Sequence, residues 1–153
     1  ITIMSNIKKV EIPLHVGDTA EFTKTVTETD VYLFGGITAD YSQMHFNEEF
    51  MKKTMYGTRI VHGILTFAIG CTASTKIQEQ VKSPVPSASY GYDRLRFIKP
   101  VFFGDTLTCK YTVDRIEEET NKTFSKLEVF NQHGDIVLAA THILKFFPLE
   151  EDK

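Results

Sequence analysis

Residues 60–77 read IVHGILTFAIGCTASTKI, and this stretch holds the longest helical pattern in the chain. After His62-Gly63, the residues 64–73 are apolar on nearly every side over about three helical turns. A helix at a protein surface shows a polar face, so this composition predicts a helix that is buried all round. The pattern becomes polar after Lys76, and we expect the helix to end before the turn segment at residues 83–86.

Downstream of this helix the sequence changes to a strand pattern. β-branched, aromatic and aliphatic residues alternate with polar residues over parts of each run, and short turn segments separate the runs. Connections this short favour antiparallel pairing. We predict four strands, at residues 88–98, 106–117, 122–131 and 135–146.

Upstream of the helix we predict one strand and two short helices. The threonine-rich residues 19–27 indicate the strand. Thr27-Glu-Thr-Asp30 has the spacing of a capping box for a short helix, and Gly35-Gly36 disfavour the continuation of that helix. Asn47-Glu48-Glu49 indicates a second helix start, with a stop at Gly57. An antiparallel sheet packed on one buried helix belongs to the α+β class.

Composition and charge exclude several classes of protein. The chain has 153 residues, of which 42% are hydrophobic and 24% charged, and its net charge is −3. This length fits one domain over residues 1–153, and the charge gives no footprint for nucleic acid or an anionic membrane. No apolar run reaches the ~18 residues of a membrane span. Because residues 1–4 lack a basic segment followed by an apolar one, we expect no secretion signal there, and we expect these residues to be a disordered or extraneous remnant.

The two cysteines indicate a reducing environment. Cys71 and Cys109 lie 38 residues apart without a C-x-x-C spacing, which argues against a zinc site or a disulfide framework. We therefore expect a cytoplasmic protein. Cys71 falls within the long helix, where we expect it to pack in the core and not to act as a nucleophile.

Residues 37–47, ITADYSQMHFN, contain the candidates for acid–base chemistry. Asp40 and His45 are five positions apart in a polar connection between the two short helices. A carboxylate and an imidazole at this spacing can converge on one water, and imidazole exchanges a proton near neutral pH. The alternative is that Asp40 caps a turn and His45 is a surface or hydrogen-bonding residue.

Gly63 stands at the start of the long helix, where backbone N–H groups lack partners and the helix dipole is positive. Because glycine has no side chain, a ligand can approach these groups closely, as an oxyanion site requires. The alternative is that Gly63 only permits tight packing of the helix on the sheet. We expect the neighbouring His62 to be structural and to hydrogen-bond to the backbone.

Three segments occur in an order that a known family shares: 39–47 (ADYSQMHFN), 60–64 (IVHGI) and 95–106 (LRFIKPVFFGDT). They resemble the motifs G-D-x-N-P-x-H-x-D, I-[AV]-H-G-M and R-F-x-x-P-V-x-x-G-D of the MaoC-like hydratases, which include the (R)-specific enoyl-CoA hydratases. The resemblance covers about residues 12–147. The chain departs from these motifs with Ser42 for Asn, Gln43 for Pro, Asn47 for the second Asp and Ile64 for Met, among others.

This resemblance implies a fold, an assembly and an activity. The fold is the hot-dog fold, in which an antiparallel sheet wraps around a long central helix, in a homodimer or higher homo-oligomer. The activity is the reversible addition of water to a 2-enoyl-CoA, a reaction of fatty acid metabolism that needs no metal or organic cofactor. Asp40 and His45 would form the catalytic pair, with either as the formal base, and the Gly63 N–H would be the oxyanion donor.

Binding of CoA calls for cationic residues near the pocket mouth. Arg94 and Arg96 are two apart on one predicted strand and should therefore share a face, and Lys99 is a further candidate. The alternative is an ordinary solvated strand face, with Tyr90 and Tyr92 packed under the arginines. Ser42 and His62, which lie within the motifs, are additional candidates for substrate binding.

Three other functions are consistent with parts of this pattern. A hot-dog acyl-CoA thioesterase would share the fold, the dimer and the ligand but attack the carbonyl carbon. A non-catalytic acyl-CoA binding module would bind the ester without turnover, and a purely structural interaction domain would do neither. The D-x4-H pair followed by H-G favours the hydratase over the thioesterase. The presence of both acid–base candidates argues against the binding module, which has no need of them.

Overall fold

The computed structural model describes residues 7–150, so the prediction for residues 1–4 lies outside the described residues. The sheet strands and the long helix follow the predicted order along the chain. The elements are β1 (Thr19–Thr25), α1 (Glu28–Thr38), α2 (Gln43–Phe46), α3 (Glu48–Met51), α4 (Gly63–Val81), β2 (Ser87–Phe97), β3 (Thr106–Glu117), β4 (Lys122–Phe130) and β5 (Ile136–Phe146), with a short 3-10 turn at Glu118–Thr120.

The five strands form one antiparallel sheet in the order β1-β3-β4-β5-β2. This confirms the antiparallel pairing and the four predicted C-terminal strands, whose observed ends differ by at most one residue. The first strand ends at Thr25, two positions before the prediction. Strands β1 and β2 are the two edges of the sheet, and β2 pairs with β5 in a ladder that has two register shifts.

Helix α4 packs on one face of this sheet and confirms the predicted long helix. Its buried residues lie on one side only: Thr66, Ile69, Gly70, Ala73, Ser74 and Ile77. The prediction of all-round burial is wrong for the single chain, because the sheet covers one side and leaves Ile64 and Ala68 exposed on the other. Neither α4 nor any other helix within residues 7–150 is long and apolar enough to cross a membrane.

The predicted capping box begins α1, since the Thr27 N–H donates to Asp30 Oδ2 (2.8 Å) and the Asp30 N–H donates to Thr27 Oγ1 (3.2 Å). The helix nevertheless continues through Gly35-Gly36 to Thr38, which corrects the predicted early stop. Gly35 is buried, and a Cβ built on it would lie 2.5 Å from the ring of Phe46 in α2. Tertiary packing therefore requires glycine here in spite of its low helix propensity.

The segment after α1 differs from the prediction in two respects. His45 lies in the one-turn helix α2, and not in an irregular polar connection. Helix α3 begins at the predicted cap Asn47 but ends at Met51, well before Gly57. Both helices are too short to show a helical period in the sequence, so packing and capping determine them.

Candidate active site

The backbone holds the side chain of His45 in one orientation. His45 is 9% exposed, and its Nδ1 lies 2.7 Å from the carbonyl oxygen of Ile60. Because a carbonyl oxygen can only accept, Nδ1 carries the proton and donates it to this bond. The Nε2 atom is therefore left with a free lone pair, as a proton acceptor requires.

Asp40 follows Ala39, whose φ of 60° turns the chain sharply at the end of α1. Its Oδ1 accepts the N–H of Ser42 at 3.2 Å, so Asp40 caps a turn as the simpler interpretation expected. Its side chain is still 53% exposed, which leaves oxygen lone pairs free for a ligand. Ser42 itself caps α2, where its Oγ accepts the N–H of Met44 at 3.4 Å.

His62 contacts both of these residues. Its ring stacks on that of His45 with centroids 3.8 Å apart, and its Nε2 donates to the carbonyl oxygen of Asp40 at 3.0 Å. The expectation that His62 bonds to the backbone is confirmed. One ligand atom from each of Asp40, His45 and His62 lies within 4.8 Å of the others, so the two candidates are brought together.

These three side chains could in principle hold a metal ion, but their geometry disfavours it. The two imidazole planes are stacked at an interplanar angle of 29°. Lone pairs of imidazole lie in the ring plane, so two nearly parallel rings do not direct them at one point between them. In addition, the His62 nitrogen nearest to the carboxylate already donates to the Asp40 carbonyl oxygen.

Burial of His45 lowers its pKa below the ordinary value of 6.5. The bond to the Ile60 carbonyl acts in the opposite direction, the neighbouring His62 lowers the pKa further, and Asp40 raises it. The net direction is down. His45 is thus neutral at neutral pH, and the lone pair on its Nε2 is available to accept a proton.

A pocket of about 310 Å³ opens beside His45 and the first turn of α4. Sequence reasoning identified His45, Gly63 and Lys99 in this pocket but missed its aromatic and aliphatic walls, which carry no local motif. Asp40 lies beside the pocket and not among its lining residues. The lining consists of Met44, His45, Tyr56, Ile60, Val61, Gly63, Thr66, Phe97, Ile98, Lys99, Pro100, Val101 and Val137.

The N-terminus of α4 faces this pocket without a side-chain cap. The N–H of Thr66 bonds to the His62 carbonyl at 3.1 Å, and Gly63 is the first residue of the helix. The first three N–H groups of a helix have no partner within it, so the one at Gly63 is available to a ligand. A Cβ on Gly63 would also lie 3.0 Å from Phe97, so the packing interpretation applies as well.

Strand β2 does not present its polar residues as predicted. Register shifts fall between Ser89 and Gly91 and between Asp93 and Arg96, and Arg94 has a φ of 53°. These bulges break the two-residue alternation, so the prediction that Arg94 and Arg96 share a regular strand face is wrong. Both arginines are exposed.

The two tyrosines of β2 have different surroundings, so the alternative in which both pack under the arginines does not hold. Tyr90 lies beneath the ammonium of Lys122, 3.9 Å from the ring centroid. Tyr92 packs against α4, where its hydroxyl donates to Cys71 Sγ at 3.1 Å. Cys71 is half-buried, and burial raises the pKa of its thiol, so it is a packed thiol and not a ready nucleophile.

Arg59 is a residue that sequence reasoning missed. Its guanidinium donates to Glu28 of α1 at 2.8 Å and to Glu48 of α3 at 3.3 Å, and it lies 4.7 Å from the ring centroid of Phe103. These partners are far apart in sequence, and no local pattern indicates them. Arg59 therefore connects α1 and α3 to the segment that leads into α4, and these elements flank Asp40, His45 and Gly63.

A second buried histidine lies away from this pocket. His142 is 1% exposed, stacks on Tyr92 with centroids 4.3 Å apart, and uses both ring nitrogens. Nδ1 pairs with the Tyr111 hydroxyl at 2.8 Å and Nε2 with the Ser89 hydroxyl at 2.9 Å. Burial lowers the pKa of His142 to about 4.

Comparison with known proteins identifies relatives of both the sequence and the fold. Residues 13–132 match the family model of the MaoC-like domain. The chain is 36% identical over 104 residues to an (R)-specific enoyl-CoA hydratase of Rhodospirillum rubrum, which covers 67% of this chain and 68% of that protein. It is 31% identical over 140 residues to a 3-hydroxybutyryl-CoA dehydratase of Methylorubrum extorquens, covering 91% and 84% of the two chains.

Among solved structures, the unliganded R-hydratase PhaJ1 of Pseudomonas aeruginosa superposes with a TM-score of 0.75 at 28% identity. The match covers 92% of this chain and 89% of that one. The α+β fold described above, with its sheet and long helix, is therefore the hot-dog fold that the motifs implied.

Proposed function

Because the chain belongs to the MaoC-like domain family, we propose that it is an enoyl-CoA hydratase acting as one hot-dog domain. It adds water reversibly to a 2-enoyl-CoA and gives an (R)-3-hydroxyacyl-CoA. The observation that carries this proposal is the convergence of Asp40 and His45, within 4.8 Å, beside the uncapped N-terminus of α4. Acid–base groups and an electrophilic donor thus meet at one pocket.

Asp40 and His45 hold the attacking water between them. The neutral His45 accepts a water proton at Nε2 while the water oxygen forms a bond to the β-carbon of the enoyl group. The π electrons of the double bond move toward the thioester carbonyl and give an enolate. The proton then passes to the α-carbon, which regenerates both side chains. Asp40 orients the water and stabilises the transient imidazolium with its negative charge.

The first turn of α4 stabilises the enolate. Its Gly63 N–H points from an uncapped, positively polarised helix end, which suits a developing negative charge on the thioester oxygen. A substrate seated in the pocket would displace competing water and so strengthen this interaction. The absence of a side chain on Gly63 leaves room for the thioester.

Lys99 is the cation best placed to bind the CoA moiety. It lines the pocket, and its partner Asp135, at 2.8 Å, is itself half-exposed, so the ammonium can exchange partners with a phosphate. Arg94 and Arg96, which are exposed on the bulged strand β2, stay further candidates for binding the CoA phosphates. The roles of Ser42 and His62 in substrate binding stay predictions.

A homodimer completes the fold. Strand β2 is an edge with unpaired backbone groups, and exposed edges call for pairing. Ile64, Phe97 and Ile98, all about half-exposed, lie at the adjacent end of α4 and β2. A two-fold pairing of β2 with its copy would cover these residues together with the open side of α4.

The cytoplasmic setting stays a prediction as well.

The proposal is tested by incubating the protein with a panel of 2-enoyl-CoA esters that differ in chain length, branching and terminal carboxylation. Loss of enoyl absorbance, with an (R)-3-hydroxyacyl-CoA as product, is the expected result. Release of free CoA thiol without hydration would identify a thioesterase instead. Saturable binding of the esters without either reaction would identify a binding module.

A further inference from the structure

His62 is more deeply enclosed than either of the proposed catalytic residues. It is 2% exposed and is not among the residues that line the pocket. Phe34 of α1 and Phe46 of α2 meet its ring edge-on, with centroids 4.9 and 5.9 Å away. Together with the stacked ring of His45, these contacts enclose the His62 ring on several sides.

The ring of His62 contacts both proposed catalytic residues, Asp40 through Nε2 and His45 through its face. The Nε2–H bonds to the main-chain oxygen of Asp40, and that bond sets the position from which the Asp40 carboxylate extends. The face of the ring stacks on the ring of His45, with centroids 3.8 Å apart. The remaining nitrogen, Nδ1, is buried and has no hydrogen-bond partner within residues 7–150. An apolar ring would avoid that desolvation cost, which indicates that the Nε2–H is worth keeping.

We propose that His62 is the positioning residue of the catalytic pair. This inference rests on the proposed hydratase function. Its Nε2–H holds the main chain of Asp40, and its ring holds the imidazole of His45. The pair shares one water, and both groups must keep their distances to it within a fraction of an ångström. One rigid side chain in contact with both supplies that common reference.

Two substitutions separate the two contacts. His62→Phe keeps a stacked ring but removes the donor to Asp40, and His62→Gln keeps an N–H donor but removes the ring. We expect each to lower kcat by about 10²-fold, the cost of misplacing a catalytic group, with little change in KM. A variant that retained the full kcat per folded molecule would overturn the proposal.

The titration of His45 is a readout that a merely structural role would not move. The groups that bear on it are His62, Asp40 and the Ile60 carbonyl, with Lys99 and Tyr56 on the pocket walls. Since His62 lowers the pKa of His45, both substitutions should raise it, shifting the acid limb of the kcat profile to higher pH. The same shift should appear in an NMR titration of His45, which does not depend on turnover.

His142→Gln is the matched control, because His142 is equally buried and stacked on an aromatic ring but lies away from the pocket. It should lower the melting temperature while leaving kcat and the acid limb unchanged with a short enoyl-CoA. If the His62 variants behaved like this control, His62 would be structural only. Wild-type protein without hydration activity would instead refute the proposed function, so the two failures are distinguishable.

Discussion

The ring of Phe97 lies against the α-carbon of Gly63, so that a Cβ on Gly63 would stand 3.0 Å from Phe97 Cε1. This contact joins the two interpretations of the glycine, because the same residue packs on β2 and opens the helix N-terminus to the pocket. The contacting atoms belong to the side chain of Phe97 and not to the backbone, so the ring can shift when a larger residue replaces Gly63. Activity and stability can therefore respond differently to substitution here.

Gly63→Val should lower turnover by about 10²–10³-fold, the effect of losing one oxyanion donor, because the new side chain blocks the approach to the N–H. Initial rate and melting temperature are measured on one preparation. The double variant Gly63→Val/Phe97→Ala removes the clash with the ring but keeps the obstruction. Recovery of the wild-type rate in the double variant would show that Gly63 serves packing alone.

Asp40→Asn should reduce hydration by about 10²–10⁴-fold, the usual contribution of an acid–base group. The side chain is half-exposed and an amide can still accept the Ser42 N–H, so the fold should persist. Asp114→Asn, at an exposed position of β3, is the control and should leave the rate unchanged. Near-normal turnover by well-folded Asp40→Asn would remove Asp40 from the mechanism.

The pH dependence of kcat/KM should reflect the lowered pKa of His45. The active form is the neutral imidazole, so activity is lost as pH falls through this pKa, and the midpoint of that loss should lie below 6.5. A steady-state pH profile on an enoyl-CoA measures it. A midpoint above 6.5 would contradict a buried His45 acting as the proton acceptor.

The stability of the fold should depend on pH through His142. Its pKa is about 4 in the folded state against 6.5 ordinarily, so only the unfolded chain takes up a proton between these values. Stability is thus complete above pH 6.5 and is lost toward pH 4, by about 3 kcal/mol for the whole interval. Denaturant unfolding of wild type and His142→Gln at several pH values tests this. Parallel curves for the two proteins would be inconsistent with the prediction.

Light scattering should give the mass of a dimer at micromolar concentration. Replacing the exposed Ile64 by Lys places charges on the open side of α4 and should shift the equilibrium toward the monomer. Met55→Lys is the matched control. Met55 is also an exposed apolar residue, but it belongs to the loop after α3 and not to α4 or β2. A wild-type monomer at that concentration would refute the proposed assembly.

Local signals account for what the sequence predicted well. The ends of β3 coincide with the prediction because turn residues flank the strand, and α4 ends at Val81, just before the turn segment at residues 83–86. The misses depend on contacts between distant segments. The continuation of α1 through Gly35 depends on the ring of Phe46, and the bulges of β2 depend on its pairing with β5.

The candidate site shows the same division. The motif spacing identified Asp40, His45 and Gly63, and the structure brings the first two within 4.8 Å of each other. The stack of His45 on His62 and the proton positions on both rings could not be predicted. They are determined by main-chain oxygens whose placement follows from the assembled tertiary structure.

Those main-chain oxygens have an evolutionary consequence. Every amino acid carries a backbone carbonyl, so no substitution at position 60 can delete the acceptor that keeps the proton on His45 Nδ1. The same holds for the oxygen of residue 40 that fixes His62. The protonation pattern of the site is thus inherited with the backbone, while residues such as Ile60 and Phe97 that wall the pocket are free to diverge. New acyl groups can be accommodated by drift in those walls without rebuilding the chemistry.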